Sequence, residues 1–177
     1  MSDPLDNPEP LVRRVYAYAA YRLGDGPDAE DVTSETFERA LRYRKSFNPK
    51  RGSPAAWLVG IARRAADDHL RLKGIEFPTD DELLLDLQVD PGPAVETAAR
   101  LDLQAAVSTL GARDRELIAL RYGADLKARD IAALLGQRTN AVEVALHRAL
   151  ERLRAVLEPG TTADPGDAGG RDRSRPY

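Results

Sequence analysis

Residues 110–154 read LGARDRELIALRYGADLKARDIAALLGQRTNAVEVALHRALERLR, and the spacing around one glycine in this stretch decides the architecture. With 128–135 as one helix and 140–157 as the next, Ala132 sits four residues before Gly136 and Val142 six residues after it. A small residue lets two helices approach closely. The glycine permits the left-handed backbone of a sharp turn, and a branched residue pins the second helix from inside. Val142, Leu146, Leu150 and Leu153 form that helix's inward stripe. The pattern is that of a helix-turn-helix, whose second helix enters the major groove of DNA. Facing outward are Arg138, Thr139, Asn140, Glu143, Val144, His147 and Arg148, the source of base and phosphate contacts in such a module. Asn140 is placed to cap the helix, with Glu143 as the acidic partner of a capping box; alternatively, Glu143 accepts from cytosine N4. An ordinary helical hairpin shares much of this spacing, so the motif alone leaves both readings open.

Upstream, the chain again reads as helices. Residues 11–23 are apolar and aromatic and stop at Gly24-Asp25-Gly26-Pro27. A second helix starts near Pro27 or Asp28 with an acidic first turn, which suits the helix dipole. It runs through Val32, Phe37, Ala40 and Leu41 to about Lys45. After the loop 46–52, Ser53 is placed to cap a third helix with Pro54 at its first position, reaching about Lys73. Trp57, Leu58, Ile61, Ala62, Ala65 and Leu72 give that helix a buried stripe. The resulting expectation is an all-α chain of two small helical domains joined by a flexible acidic linker. The bounds are 8–74 for the first domain, 75–93 for the linker, 94–158 for the second domain and 159–177 for a disordered tail rich in Gly, Asp, Thr, Pro and Arg.

Charge supports this division. The chain of 177 residues carries a net charge of −3, which hides a strong asymmetry. Residues 42–73 hold nine basic residues against two acidic, whereas residues 75–100 hold seven acidic against one basic. Lys45, Lys50, Arg51, Arg63, Arg64, Arg71 and Lys73 cluster around the loop and third helix, as a phosphate-neutralising surface would require. A solvated helix face with Arg64 paired to Asp68 accounts for the same run. Composition closes off other classes. There is no cysteine, so disulfides and thiolate-bound zinc are excluded. No apolar run approaches the roughly 20 residues of a membrane span, and the acidic start lacks a signal-peptide pattern. The expectation is a soluble, cytoplasmic protein without membrane insertion. Asp67-Asp68-His69 invites a metal or hydrolase reading, but adjacent helical residues point in different directions and cannot converge on one ion. No enzyme activity, metal or cofactor is expected.

Taken together, these residues resemble the sigma-70 family of RNA polymerase sigma factors, particularly the small extracytoplasmic-function group. GDGPDAEDVTSETFERALR (24–42) is similar to that group's core-binding segment, and FNPKRGSPAAWLVGIARRAADDHLR (47–71) to its −10 recognition segment. Residues 110–154 resemble region 4, which reads the −35 element. The resemblance implies that Asp28, Asp31, Glu35, Phe37 and Arg39 dock on the clamp helices of the polymerase's largest subunit. It places −10 DNA contacts on Phe47, Asn48, Lys50, Arg51, Arg63, Arg64 and Arg71, and −35 contacts on Arg138, Thr139, Asn140, Glu143, Val144, His147 and Arg148. Core RNA polymerase (clamp helices and flap), promoter DNA and an anti-sigma factor are the partners it suggests. The implied function is that of an initiation factor that directs polymerase to promoters and aids opening. Two departures from the family pattern stand out: a basic residue is often found near Glu143 and Arg near Ala145, which implies −35 affinity that is weak or differently specified, and Gly111 stands where Pro is usual, with Lys127-Ala128-Arg129 replacing a more typical Ser-containing entry to the helix-turn-helix. A one-component helix-turn-helix regulator and a polymerase or signalling adapter that does not bind DNA are the alternatives.

Overall fold

The computed structural model describes residues 3–74 and 98–158, with side chains from 102 onward in the second block. All described regular structure is helical. The acidic linker, including Leu83-Leu84-Leu85, and the tail lie outside the described residues. The first block contains α1 (Pro8–Leu23), α2 (Pro27–Tyr43), a 3-10 turn (Arg44–Ser46) and α3 (Pro54–Leu72). In the second are α4 (Ala98–Ser108), α5 (Ala112–Ile118) running into a π turn (Ala119–Gly123), α6 (Ala128–Leu135) and α7 (Thr139–Leu157).

The boundaries follow local chemistry. α1 ends where Gly24 takes φ +90° and its N–H returns to the Ala20 carbonyl. Pro27 opens α2, with Asp28 and Glu30 in the first turn. The Ser53 hydroxyl accepts from the Ala56 N–H at 3.2 Å, the N-cap expected of α3. Gly136 closes α6 in the left-handed region (φ 66°, ψ 30°), as the turn requires.

Most of the apolar stripes are buried as periodicity predicts. Leu58, Ala62 and Ala65 of α3 are fully enclosed, while Trp57 and Ile61 are half-buried. Leu72 departs from the expectation at 88% exposed, and Leu41 of α2 is 58% exposed. Leu72 is the last residue of α3, beyond the reach of its neighbours, and Leu70 takes the inward position instead. In α7, Ala149 is fully buried in place of Leu150, which packs at the edge.

The two helical groups share one core. Val15, Tyr18 and Ala19 of α1 and Leu58, Val59 and Ala62 of α3 belong to the same buried cluster as Leu117, Leu120, Leu126, Ile131, Val142 and Leu146. The approach of α1 to the π turn is especially tight. A Cβ on Gly123 would lie 2.9 Å from the backbone of Ala17 and from the Cα of Tyr18. Because those atoms are backbone, a side chain there cannot be accommodated by a rotamer change. The glycine therefore sets how closely the two groups meet. A smaller cluster of Val107, Leu110, Ile118, Ala149 and Leu153 fastens α4 to α5 and α7.

Gly123→Ala is expected to destabilise the chain by about 1–3 kcal/mol, the range for overpacking a close contact. A thermal melt followed by circular dichroism checks this; an unchanged midpoint would remove the close approach from the account.

Candidate nucleic-acid interface

Three surfaces carry the residues singled out in the sequence. The first lies on α7 and the turn before it. Arg138, Thr139, Asn140, Glu143, Val144, His147 and Arg148 are all exposed, as a groove-facing surface requires. Helix α7 begins one residue earlier than the spacing suggests, at Thr139, and no side chain caps it. Asn140 therefore lies inside the first turn and is not the cap, and Glu143 has no capping box to close. Packing of α5 against α7 shapes a hollow lined by Arg113, Asp114, Arg138, Asn140, Val144, Arg148 and Arg152. Arg113 and Arg152 are additions that the sequence pattern does not single out. Arg152 follows Arg148 by one helical turn, a signal available in the sequence, whereas Arg113 reaches the hollow only through tertiary packing. Arg152 donates to Asp114 at 2.5 Å, so part of the rim's positive charge is already balanced.

The second surface is the basic loop and α3. The loop folds on itself: Asn48 Oδ1 accepts from the Lys50 N–H at 3.0 Å, and the Arg51 N–H donates to the Asn48 carbonyl at 2.9 Å. Phe47 meets Trp57 edge-on, with ring centres 5.6 Å apart and planes at 61°, which ties the loop to the start of α3. Lys50, Arg51 and Arg64 are exposed. Arg71 is exposed too and lies 3.3 Å from Asp68. Arg63 differs from the others. Its Nε donates to Glu116 of α5 at 2.6 Å, across the seam between the two helical groups. Burial alone disfavours the charge of Arg63, but the Glu116 carboxylate outweighs that and raises its pKa.

Glu116 also accepts from the buried Arg22 at 3.2 Å, and Arg22 donates to Asp67 at 2.5 Å and to the Tyr18 hydroxyl at 2.8 Å. For Arg22, too, burial opposes ionisation, and the neighbouring Tyr18, Glu116 and Asp67 reverse the balance. Tyr18 itself is fully enclosed, and burial pushes its pKa upward. Asp67, Asp68 and His69 point to different partners: Arg22; Arg39 and Arg71; and Asp28, respectively. They do not converge on one point.

The third surface runs along α2 from Asp28 to Arg39. Asp31 is exposed, and Phe37 is half-buried against the core. Glu35 accepts from Arg39 at 2.6 Å, and Arg39 also reaches Asp68 of α3 at 2.8 Å. The hydrogen bond to Asp68 is the chief cause of a raised Arg39 pKa. Asp28 bridges to α3 through Lys73 and lies 3.1 Å from Nε2 of His69. Two of the five candidate docking residues, Asp28 and Arg39, therefore also tie α2 to α3.

Comparison with known proteins adds the following. Residues 9–74 match the model of sigma-70 region 2, and residues 100–153 match that of sigma-70 region 4. The chain is 33% identical over 147 residues to the ECF RNA polymerase sigma factor BldN of Streptomyces coelicolor, covering 81% of this chain and 56% of that protein. It is 34% identical over 142 residues to the RNA polymerase sigma factor CnrH of Cupriavidus metallidurans, covering 74% of each. Among solved structures, it is similar to the sigma factor RpoE in complex with the anti-sigma factor NepR from Bartonella quintana. The TM-score is 0.64 at 23% identity, covering 84% of this chain and 92% of that one, a likeness of fold.

The Asp28 carboxyl is held below its ordinary value of 3.8, chiefly by the hydrogen bond from Lys73. A depressed carboxylate stabilises the fold above its unfolded pKa, and that contribution is lost as pH falls through the folded value. Wild-type stability should therefore drop more steeply below about pH 4 than that of Asp28→Asn. Urea midpoints measured across the acid range check this, and parallel curves would contradict it.

Proposed function

Since the chain belongs to the extracytoplasmic-function group of sigma-70 RNA polymerase sigma factors, we propose that it binds core polymerase and directs it to promoters through two DNA contacts, aiding duplex opening. The observation that carries this reading is the pairing, in order, of a region 2 block and a region 4 block with their basic surfaces on α3 and α7. Residues 8–74 act as the region 2 module and 94–158 as the region 4 module, with 75–93 as the connector and 159–177 as the tail. Asp28, Asp31, Glu35, Phe37 and Arg39 form the polymerase-docking surface. Because Asp28, Glu35 and Arg39 also pair within the chain, docking there exchanges one set of ion pairs for another. Phe47, Asn48, Lys50, Arg51, Arg63, Arg64 and Arg71 take the −10 strand. Extraction of a base costs a few kcal/mol, offset by pocket contacts and backbone attraction.

Arg138, Thr139, Asn140, Glu143, Val144, His147 and Arg148 face the −35 element. Exposed and uncapped, Glu143 is free of the helix terminus and available to accept from cytosine. The protein is a binding factor without a catalytic centre or cofactor, and its place is the cytoplasm, with the polymerase. Among the described residues no helix is long and apolar enough to cross a membrane. RpoE has been seen in complex with the anti-sigma factor NepR, and CnrH in complex with the cytosolic domain of CnrY. An anti-sigma partner is accordingly part of the proposal.

Run-off transcription with core enzyme on a genomic promoter pool tests the reading. Wild type should yield discrete starts, and Arg63→Ala/Arg64→Ala should lose most of them; identical starts from both proteins would refute the −10 assignment. Arg138→Ala/Arg148→Ala should instead flatten the salt dependence of promoter binding by holoenzyme, by about one unit of log-log slope for each phosphate no longer neutralised. An unchanged slope would place the −35 contacts elsewhere.

A further inference from the structure

The cations of α2, α3 and the loop between them fall into two sets. Arg39, Arg63, Arg71 and Lys73 each meet a carboxylate, and Arg44 lies 3.6 Å from Asp3. Arg42, Lys45, Lys50, Arg51 and Arg64 are exposed and meet none among the described residues. Four of those five lie between the last turn of α2 and the loop. In their midst stands an exposed aromatic ring. Tyr43, the last residue of α2, is 57% exposed. Its carbonyl accepts from the Ser46 hydroxyl at 2.7 Å, and the Phe47 N–H donates to the Arg44 carbonyl at 3.2 Å, so the 3-10 turn fixes the backbone that carries the ring.

Helical phase gives the ring its direction. Tyr43 continues the stripe of Val32, Thr36 and Ala40, all fully buried, past the point where the core ends. Asp31, Ser34 and Glu38 mark the other, outward side of α2. The ring therefore lies on the side of α3 and the loop, away from the docking residue Asp31. Phe47 and Trp57 are half-buried and packed edge-on against each other, whereas Tyr43 has no ring or hydroxyl partner among the described residues. At the rise of a 3-10 turn, Phe47 follows within about 8 Å along the chain. A ring on fixed backbone among unneutralised cations meets both demands of a single strand: a face on which a base can stack, and charge to follow the phosphates.

We propose that Tyr43 is a stacking platform for an unpaired base of the −10 strand, beside the base drawn out toward the loop, with Arg42, Lys45, Lys50 and Arg51 holding the phosphates around it. This rests on assigning the −10 strand to region 2, and it adds Tyr43, Arg42 and Lys45 to that surface. Because every base has a π face, the platform favours an open strand over a duplex and imposes little sequence preference.

Holoenzyme binding to two fluorescein-labelled forms of a promoter recovered by wild-type run-off tests this. One form is duplex through the −35 element and ends in a single-stranded −10 overhang; the other is duplex throughout. Tyr43→Ala should weaken binding to the overhang form by about 5- to 150-fold, the range for loss of one stacked base, and leave the duplex form unchanged. Tyr43→Phe should retain the affinity, and Tyr43→Leu, apolar without a π face, should lose it as Ala does. With 2-aminopurine scanned across the overhang, Tyr43→Ala should brighten the fluorescence at one position, where the base no longer stacks. Arg42→Gln/Lys45→Gln should flatten the salt dependence on the overhang form by about 0.7 unit of log-log slope for each phosphate released. Equal affinity of wild type and Tyr43→Ala, a loss shared by the duplex form, rescue by Leu, or a salt slope unchanged by the double variant would each overturn the proposal. A loss of affinity for core polymerase would overturn it too, by assigning the ring to the polymerase. Absence of discrete starts from the wild-type chain would instead count against the sigma-factor reading itself, and the proposal would fall with it.

Discussion

The carboxylate of Glu116 is the point on which the arrangement of the two helical groups turns. It sits at the seam with Arg63 on one side and Arg22 on the other, and Arg22 in turn engages Asp67 and the Tyr18 hydroxyl. A charge removed from water is costly unless it is paired and its remaining hydrogen-bonding capacity is met. Here two guanidiniums and two carboxylates satisfy one another, and their neighbours α1, α3 and α5 are held in one relative position. Loss of a single member would leave an uncompensated charge in a partly buried seam, which costs more than loss of an exposed ion pair.

That constraint explains features that are otherwise unrelated. Gly123 admits the backbone of α1, bringing Arg22 within reach of Glu116. The π turn at Ala119–Gly123 directs the chain away from α5 while keeping Ala119 and Leu120 in the shared core. Arg115, beside Glu116, turns the opposite way and donates to the Ser108 and Leu110 carbonyls, fixing the turn between α4 and α5. Consecutive residues thus serve both sides of α5: Arg115 organises region 4 internally, and Glu116 joins it to region 2. The candidate residues on α7 take no part in this seam and stay exposed.

Much of this is legible in local pattern. The left-handed Gly136, the Ser53 cap before Pro54 and the stop at Gly24 are short-range events governed by backbone chemistry, and they fall where the sequence places them. Exposure of the α7 candidates follows from helical phase in the same way. What the sequence conceals depends on contacts between distant residues. The Arg63–Glu116 pair spans 53 positions, and nothing in the local run distinguishes Arg63 from Arg64. Arg113 joins the hollow near α7 only because α5 packs there. Leu41 and Leu72 continue an apolar period that the neighbouring elements do not extend far enough to cover. The sequence places the start of α7 one residue late because Asn140 has strong capping chemistry that the turn geometry does not use.

A double-mutant cycle on Arg63 and Glu116 measures this central contact most directly. The unfolding free energies of wild type, Arg63→Ala, Glu116→Ala and the double variant give the coupling between the two side chains. A coupling of about 1 kcal/mol or more, favourable to the closed fold, is predicted for residues in one charge network. Additive effects, within about 0.5 kcal/mol, would contradict the seam as described and return the two regions to independence.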